Sequence, residues 1–254
     1  MDKLDLLKKS MVLRRRLGAD ASGPVDIFPL ILTSAAYSEH LTLVLYPMSR
    51  TLSGMCVKGI DNTVIAINST TSVGRQHFSL AHELFHMYFD NSSSTAVCSS
   101  RIGTGSEIEK EADQFASFFL VPPDGLDKEI VQMKKQPGDR LTVRDVAELE
   151  QYFGVSRQAM LFRLIEDSRL TSEEAAAMRH DVIGSAQRMG YDISLYRPLP
   201  PEKQRMTFGS YIQQADEVLK RELVSSGKYE ELLLEAFRPD LVYGDDSAAS
   251  EPAD

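Results

Sequence analysis

Cysteine is scarce in this 254-residue chain. Only Cys56 and Cys98 are present, far apart and in no metal-type spacing. That excludes a disulfide-framed scaffold and suits a reducing compartment. Each thiol reads as a small buried apolar residue. Long apolar runs are missing too. No segment approaches the ~18 consecutive apolar residues of a membrane helix. The start, Met1-Asp2-Lys3-Leu4-Asp5, lacks the basic flank and apolar stretch of a signal peptide. The expectation is a cytoplasmic protein with no membrane partner. Nor is there a surplus of positive charge. A formal net charge of −9 argues against a strongly basic nucleic-acid surface. Histidine is rare, with five residues, yet His82 and His86 stand four apart beside Glu83.

The remaining composition is that of a globular chain, 43% hydrophobic and long enough to bury a core without staples. Residues 4–17 are helix-like and end in Arg14-Arg15-Arg16, cations that suit a helix C-terminus. Residues 25–32 read as a short helix. Residues 41–46, 53–58 and 63–68 read as strands, parted by the turn signals Pro47-Met48-Ser49-Arg50 and Gly59-Ile60-Asp61-Asn62. Helices are predicted over 73–89 and 106–121. Ser106 caps the latter, and Pro122-Pro123 stops it. The serine-rich 92–95 and the stretch around Gly103 and Gly105 read as loop. Helices over 142–152 and 156–166, with a turn at Phe153-Gly154-Val155, give a helix-turn-helix outline. Tyr196–Pro201 is a Pro-rich linker, followed by helices over 207–224 and 228–237. Residues 245–254, acidic and rich in small residues, read as a disordered tail. The predicted class is α+β. A catalytic domain with a small, mostly antiparallel sheet spans 1–125. A helix-turn-helix-like unit over 126–170 and a helical extension over 171–244 follow.

Positions i and i+4 share a helical face. His82 and His86 can therefore offer two imidazole nitrogens to one tetrahedral metal. Glu83, at the edge of that face, can reach a water on the metal without ligating the ion. This is the logic of H-E-x-x-H, with the glutamate as general base. Phe78, Leu80, Ala81, Leu84, Phe85 and Phe89 make the helix largely buried. Burying two histidines and a glutamate without partners is costly, and a metal resolves that cost. A catalytic site needs a third protein ligand and an open fourth position. No third histidine follows at close spacing, which excludes the metzincin pattern. Two i, i+4 pairs on the next helix are candidates. Glu109 can ligate while Asp113 supports a ligand histidine; Glu107 with Glu111 is the alternative. Helical periodicity alone leaves both open.

The segment Arg75-Gln76-His77-Phe78-Ser79-Leu80-Ala81-His82-Glu83-Leu84-Phe85-His86, with Glu109-Lys110-Glu111-Ala112-Asp113-Gln114-Phe115-Ala116 and Leu120-Val121-Pro122, resembles the ImmA/IrrE metallopeptidase family. These are gluzincin-type proteins of bacteria and phages. Their pattern is an R-x-x-F-T-L-A-H-E-x-x-H helix, then E-x-x-A-D/N-x-F-A ending near L-x-P. The resemblance implies a zincin-like fold and zinc as cofactor. It also implies His82, His86 and Glu109 as metal ligands, with Glu83 as base. Glu111 falls where the family also accepts glutamine, which selects Glu109. Ser79 replaces the usual threonine and keeps the hydroxyl. Phe85 stands where glycine is common and could narrow the cleft.

The expected activity is zinc-dependent endopeptidase cleavage of a regulatory protein. The resemblance implies a DNA-binding repressor or antitoxin-like partner encoded nearby, whose cleavage switches a stress or mobile-element response. The alternative is a non-catalytic zinc-containing module that binds a partner regulator, favoured if Phe85 crowds the open position. Direct nucleic-acid binding through Arg157, Gln158 and Arg163 is disfavoured by the acids Asp145, Glu148, Glu150, Glu166 and Asp167 around them. His77 reads as a packing histidine. His40 and His180 lack any constellation, and Tyr88 reads as core before oxyanion donor.

Overall fold

The computed structural model describes residues 2–34, 40–91, 94–133 and 140–244. The acidic stretch 245–254, read as a tail, and Ser92 and Ser93 lie outside the described residues.

Two helices open the chain, α1 (Lys3–Arg16) and α2 (Ile27–Ser34). In β1 (Leu41–Tyr46) three leucines alternate with Thr42, Val44 and Tyr46, and Leu41, Leu43 and Leu45 face the core. That period of two is what a half-buried strand requires. Next come β2 (Leu52–Lys58), β3 (Thr63–Asn68) and the long helix α3 (Val73–Phe89). After β4 (Thr95–Ser99) the chain is helical through α4 (Glu107–Leu120), α5 (Pro123–Met133), α6 (Val143–Phe153), α7 (Arg157–Glu166), α8 (Ser172–Ala177) and α9 (Val182–Arg188). A last strand, β5 (Met206–Gly209), leads into α10 (Ser210–Lys220), α11 (Ser226–Glu235) and α12 (Pro239–Tyr243).

The sheet order is β4-β2-β3-β1-β5. Among the described residues only β1 and β3 pair in parallel; the other three pairs are antiparallel. The fold is therefore α+β with a mostly antiparallel sheet, as expected. Helix α3 lies on this sheet against β2 and β3, α4 packs on α3, and α1 packs on α4. Between α3 and α4 sits an aromatic core of Phe85, Phe89, Phe115 and Phe119.

Two expectations need correction, and a third, the stop at Pro122-Pro123, holds with an addition. Between the serine-rich 92–95 and the Gly103 loop, where no strand is expected, lies β4, an edge strand in which only Cys98 is buried. Its side-chain pattern is too polar to announce a strand. The helix expected from Thr207 is preceded by β5, where Thr207 pairs with Val44. An unpaired β1 edge overrides local helical pattern there. Pro123 both follows α4 and begins α5, because proline lacks only an amide that the first helical turn leaves unpaired.

The β3–α3 turn is built around Asn68, which is fully buried. Its carboxamide oxygen accepts from the amides of Met48 and Thr70, and its amide nitrogen donates to the carbonyls of Ser49 and Leu52. The C-terminal part grips the same turn. Val73 N donates to Arg197 O at 2.9 Å and Ser69 Oγ to Gln204 O at 2.7 Å.

In the helix-turn-helix-like unit, Gly154 adopts φ 66°, the left-handed geometry that lets α6 end and α7 begin. The two arginines considered for DNA contact are spent inside the protein. Arg157 pairs with buried Glu150 and donates to Met178 O. Arg163 donates to Val121 O and pairs with Asp167 at 3.0 Å. Both are buried, so neither reaches a phosphate. Among the described residues no helix is long and apolar enough to cross a membrane.

Candidate metal centre

Helix α3 presents His82 and His86 from one face, and α4 brings Glu109 to meet them. The two Nε2 atoms are 3.3 Å apart. Glu109 gives one oxygen to each, Oε2 at 3.4 Å from His82 Nε2 and Oε1 at 3.3 Å from His86 Nε2. A tetrahedral ion with bonds of about 2.0–2.1 Å separates its donors by about 3.4 Å. The three residues thus converge at separations close to that, with a different Glu109 oxygen nearest each histidine. Glu107, by contrast, is 85% exposed and pairs with Lys110, and Glu111 is not in the converging group.

Each imidazole is oriented from behind. His82 Nδ1 lies 2.8 Å from Asp113 Oδ1, and His86 Nδ1 lies 2.9 Å from Asp90 Oδ2. Protonation at Nδ1 leaves the Nε2 lone pairs facing each other and Glu109, the tautomer a metal ligand needs. Asp113 is itself held by the amide of Gly103 at 2.6 Å. Lys58 Nζ donates to the carbonyls of His86, at 3.0 Å, and Asp90. Those carbonyls end α3 and would otherwise be unsatisfied.

The carboxylates around the two imidazoles favour positive charge at this site. Burial would strip His82 of its charge, but Asp113 and Glu109 outweigh burial and raise its pKa to about 10. His86 is raised in the same way by Glu109 and Asp90 against burial. Burial would lift Glu109, yet the two imidazoles bring it down to about 2. A pocket of carboxylates that retains imidazolium this strongly is one that a divalent cation fits.

Glu83 faces the sheet beside this triangle. It is fully buried, and burial raises its pKa to about 7, partly offset by His82. Its Oε1 has no hydrogen-bond partner, while its Oε2 accepts from Cys98 Sγ at 3.4 Å. Space for this carboxylate exists because residue 54 on β2 is glycine. A Cβ there would lie 2.8 Å from Glu83 Oε1 and 2.9 Å from Ala66 O. Burial, then the charges of Glu83 and Glu109, push the Cys98 thiol far above its ordinary pKa.

Phe85 does not narrow the cleft. Its ring centroid lies 5.6 Å from that of Phe115 and 6.1 Å from that of Phe89, inside the α3–α4 core. His77 Nδ1 donates to Gly154 O, 2.7 Å away, and the ring packs on Phe28. Tyr88 stacks beneath Arg16 of α1. His40 and His180 are exposed. Sequence reasoning missed Asp90, Lys58, Gly54 and Cys98. Only Asp90 carried a signal, its i+4 spacing from His86. The others depend on strand register.

No curated protein matches the chain. Residues 43–165 match the family model of the IrrE N-terminal-like domain, a peptidase family. The matched stretch holds both histidines, Glu83 and Glu109. Over these residues the chain carries an IrrE N-terminal-like domain of a peptidase family, in line with the resemblance read from its sequence.

Proposed function

We propose that the protein is a zinc-dependent endopeptidase that cleaves one regulatory protein in the cytoplasm. The substrate class is a DNA-binding repressor or antitoxin-like partner encoded nearby, cleaved to switch a stress or mobile-element response. That part rests on the family resemblance. The chemical part rests on one observation, the triangle of His82, His86 and Glu109 with donor separations of 3.3–3.4 Å and Glu83 beside it.

His82, His86 and Glu109 would hold the zinc. When bound, zinc supplies Lewis acidity that lowers the pKa of a water and polarises a peptide carbonyl. Glu83 acts as general base and then as general acid, taking a proton from the water and returning it to the leaving amine. Its Oε1 is the oxygen left free for this, since Oε2 accepts from Cys98. Asp113 and Asp90 hold the two imidazoles in the tautomer that keeps Nε2 available. The buried surroundings exclude competing water and strengthen each electrostatic contact.

The test is Glu83→Gln, incubated with the protein encoded beside it. Cleavage should disappear while bound zinc stays near stoichiometric. A variant that still cleaves shows that Glu83 is not the base.

A further inference from the structure

The edge strand β4 carries a metal-ligating side chain that the proposed reaction does not use. Cys98 Sγ and the donor atoms of His82, His86 and Glu109 all lie within 4.8 Å of one another. The same sulfur donates to Glu83 Oε2 at 3.4 Å. An atom near all three donors and also near the base occupies the space where a water must sit between base and ion. Cys98 is fully buried, and its cross-strand partner is Gly54, which leaves this side of the sheet open toward Glu83. Cys56, the second free thiol, lies opposite Ala96 and is not in the donor group.

We propose that Cys98 is a fourth protein ligand, so that the ion is held in one of two ways. In a closed form it has four protein donors and no room for water; in an open form it has three donors and a water. The inference rests on the proposed zinc centre and concerns its regulation. Four protein ligands are the mark of an inert structural site, and three plus water the mark of a catalytic one. Closure releases the thiol proton to solvent and expels the water, because a coordinating thiol is deprotonated. Opening requires the sulfur to withdraw. Among the described residues its strand pairs with β2 alone, so this part of the sheet has few bonds to break when it shifts.

Cobalt(II) in place of zinc reads the two forms directly. Full-length protein loaded with cobalt should show the visible d–d bands of a bound tetrahedral ion and, in addition, a near-ultraviolet sulfur-to-cobalt charge-transfer band. Cys98→Ser and Cys98→Ala should lose the charge-transfer band and keep the d–d bands. Cys56→Ala should keep both. By chelator competition the Cys98 variants should bind metal at least roughly tenfold more weakly, the lower bound for partners even outside the coordination shell. Wild-type d–d bands without any charge-transfer band overturn the fourth ligand and leave the three-residue centre standing. A charge-transfer band lost with Cys56 instead overturns it as well. Absence of all cobalt bands overturns the metal centre itself. The wild-type spectrum decides the matter even if a buried Cys98 variant fails to fold.

Discussion

An added methyl at position 54 is the smallest change that reaches Glu83 without altering any reactive group. In Gly54→Ala the new Cβ would lie 2.8 Å from Glu83 Oε1 and 2.9 Å from Ala66 O, whereas ordinary contact begins at 3.4 Å. The Ala66 oxygen belongs to the backbone of β3 and is fixed by the sheet. The carboxylate ends a flexible side chain, so it yields first, by about 0.6 Å, the difference between 3.4 and 2.8 Å. Overpacking of this size costs about 1–3 kcal/mol of stability. A misplacement of ~1 Å can lower a rate by about 100-fold, so roughly tenfold loss of kcat/KM is expected for a shift about half as large. Zinc content should not change, because the methyl meets none of the three donor residues. The assay is cleavage of the partner protein, with metal analysis and urea unfolding on the same preparation. Wild-type activity in Gly54→Ala, or a loss of zinc to match the loss of rate, would refute the argument that residue 54 works by placing Glu83.

Asp113→Asn should weaken zinc binding by about 10–100-fold in chelator competition, because its one remaining oxygen cannot accept from both Gly103 N–H and His82 Nδ1–H, and an amide NH2 facing His82 favours the wrong tautomer; unchanged affinity would remove Asp113 from that role. In metal-free protein, the Glu83 pKa is raised from 4.5 to about 7. Its contribution to stability is therefore fully present below pH 4.5 and lost as pH rises through about 7, a change of about 3 kcal/mol. A glutamine side chain cannot titrate, so urea unfolding of metal-free Glu83→Gln should gain on wild type by this amount across that window, and a pH-independent difference would count against the buried, ionisable Glu83 described above.

How much of this is legible in the sequence differs by residue. The bounds of β1, β3 and α3 can be read directly, because period-two and period-3.6 patterns there run uninterrupted between turn residues. The spacing of His82, Glu83 and His86 places them together by helix geometry alone. Glu109 cannot be told from Glu111 by periodicity, and needs the family pattern. The structure separates them by which acid faces the histidines across α3 and α4. Cys98 has no sequence signal as a site residue. It reaches Glu83 through the antiparallel register of β4 with β2, and cross-strand partners are not written in local pattern. The β5 segment is hidden for a similar reason. Four residues ahead of a helix look helical until a strand edge is available to pair them. Phe85 reads as a cleft residue only because substitution against a family pattern gives no direction, and its direction is into the core.

The attachment of β5 to β1 has a kinetic meaning. Tyr211 N donates to Thr42 Oγ1 at 3.1 Å, across a separation of 169 residues, and β5 closes the sheet beside it. At about 5–20 residues per second of synthesis, β1 waits roughly 10–30 s for its neighbour to be made. During that interval β1 presents a bare edge, open to pairing with another chain. The newborn protein thus passes through a stage in which the metal-binding helices are complete and the sheet beneath them is not, a stage in which a chaperone would find its substrate.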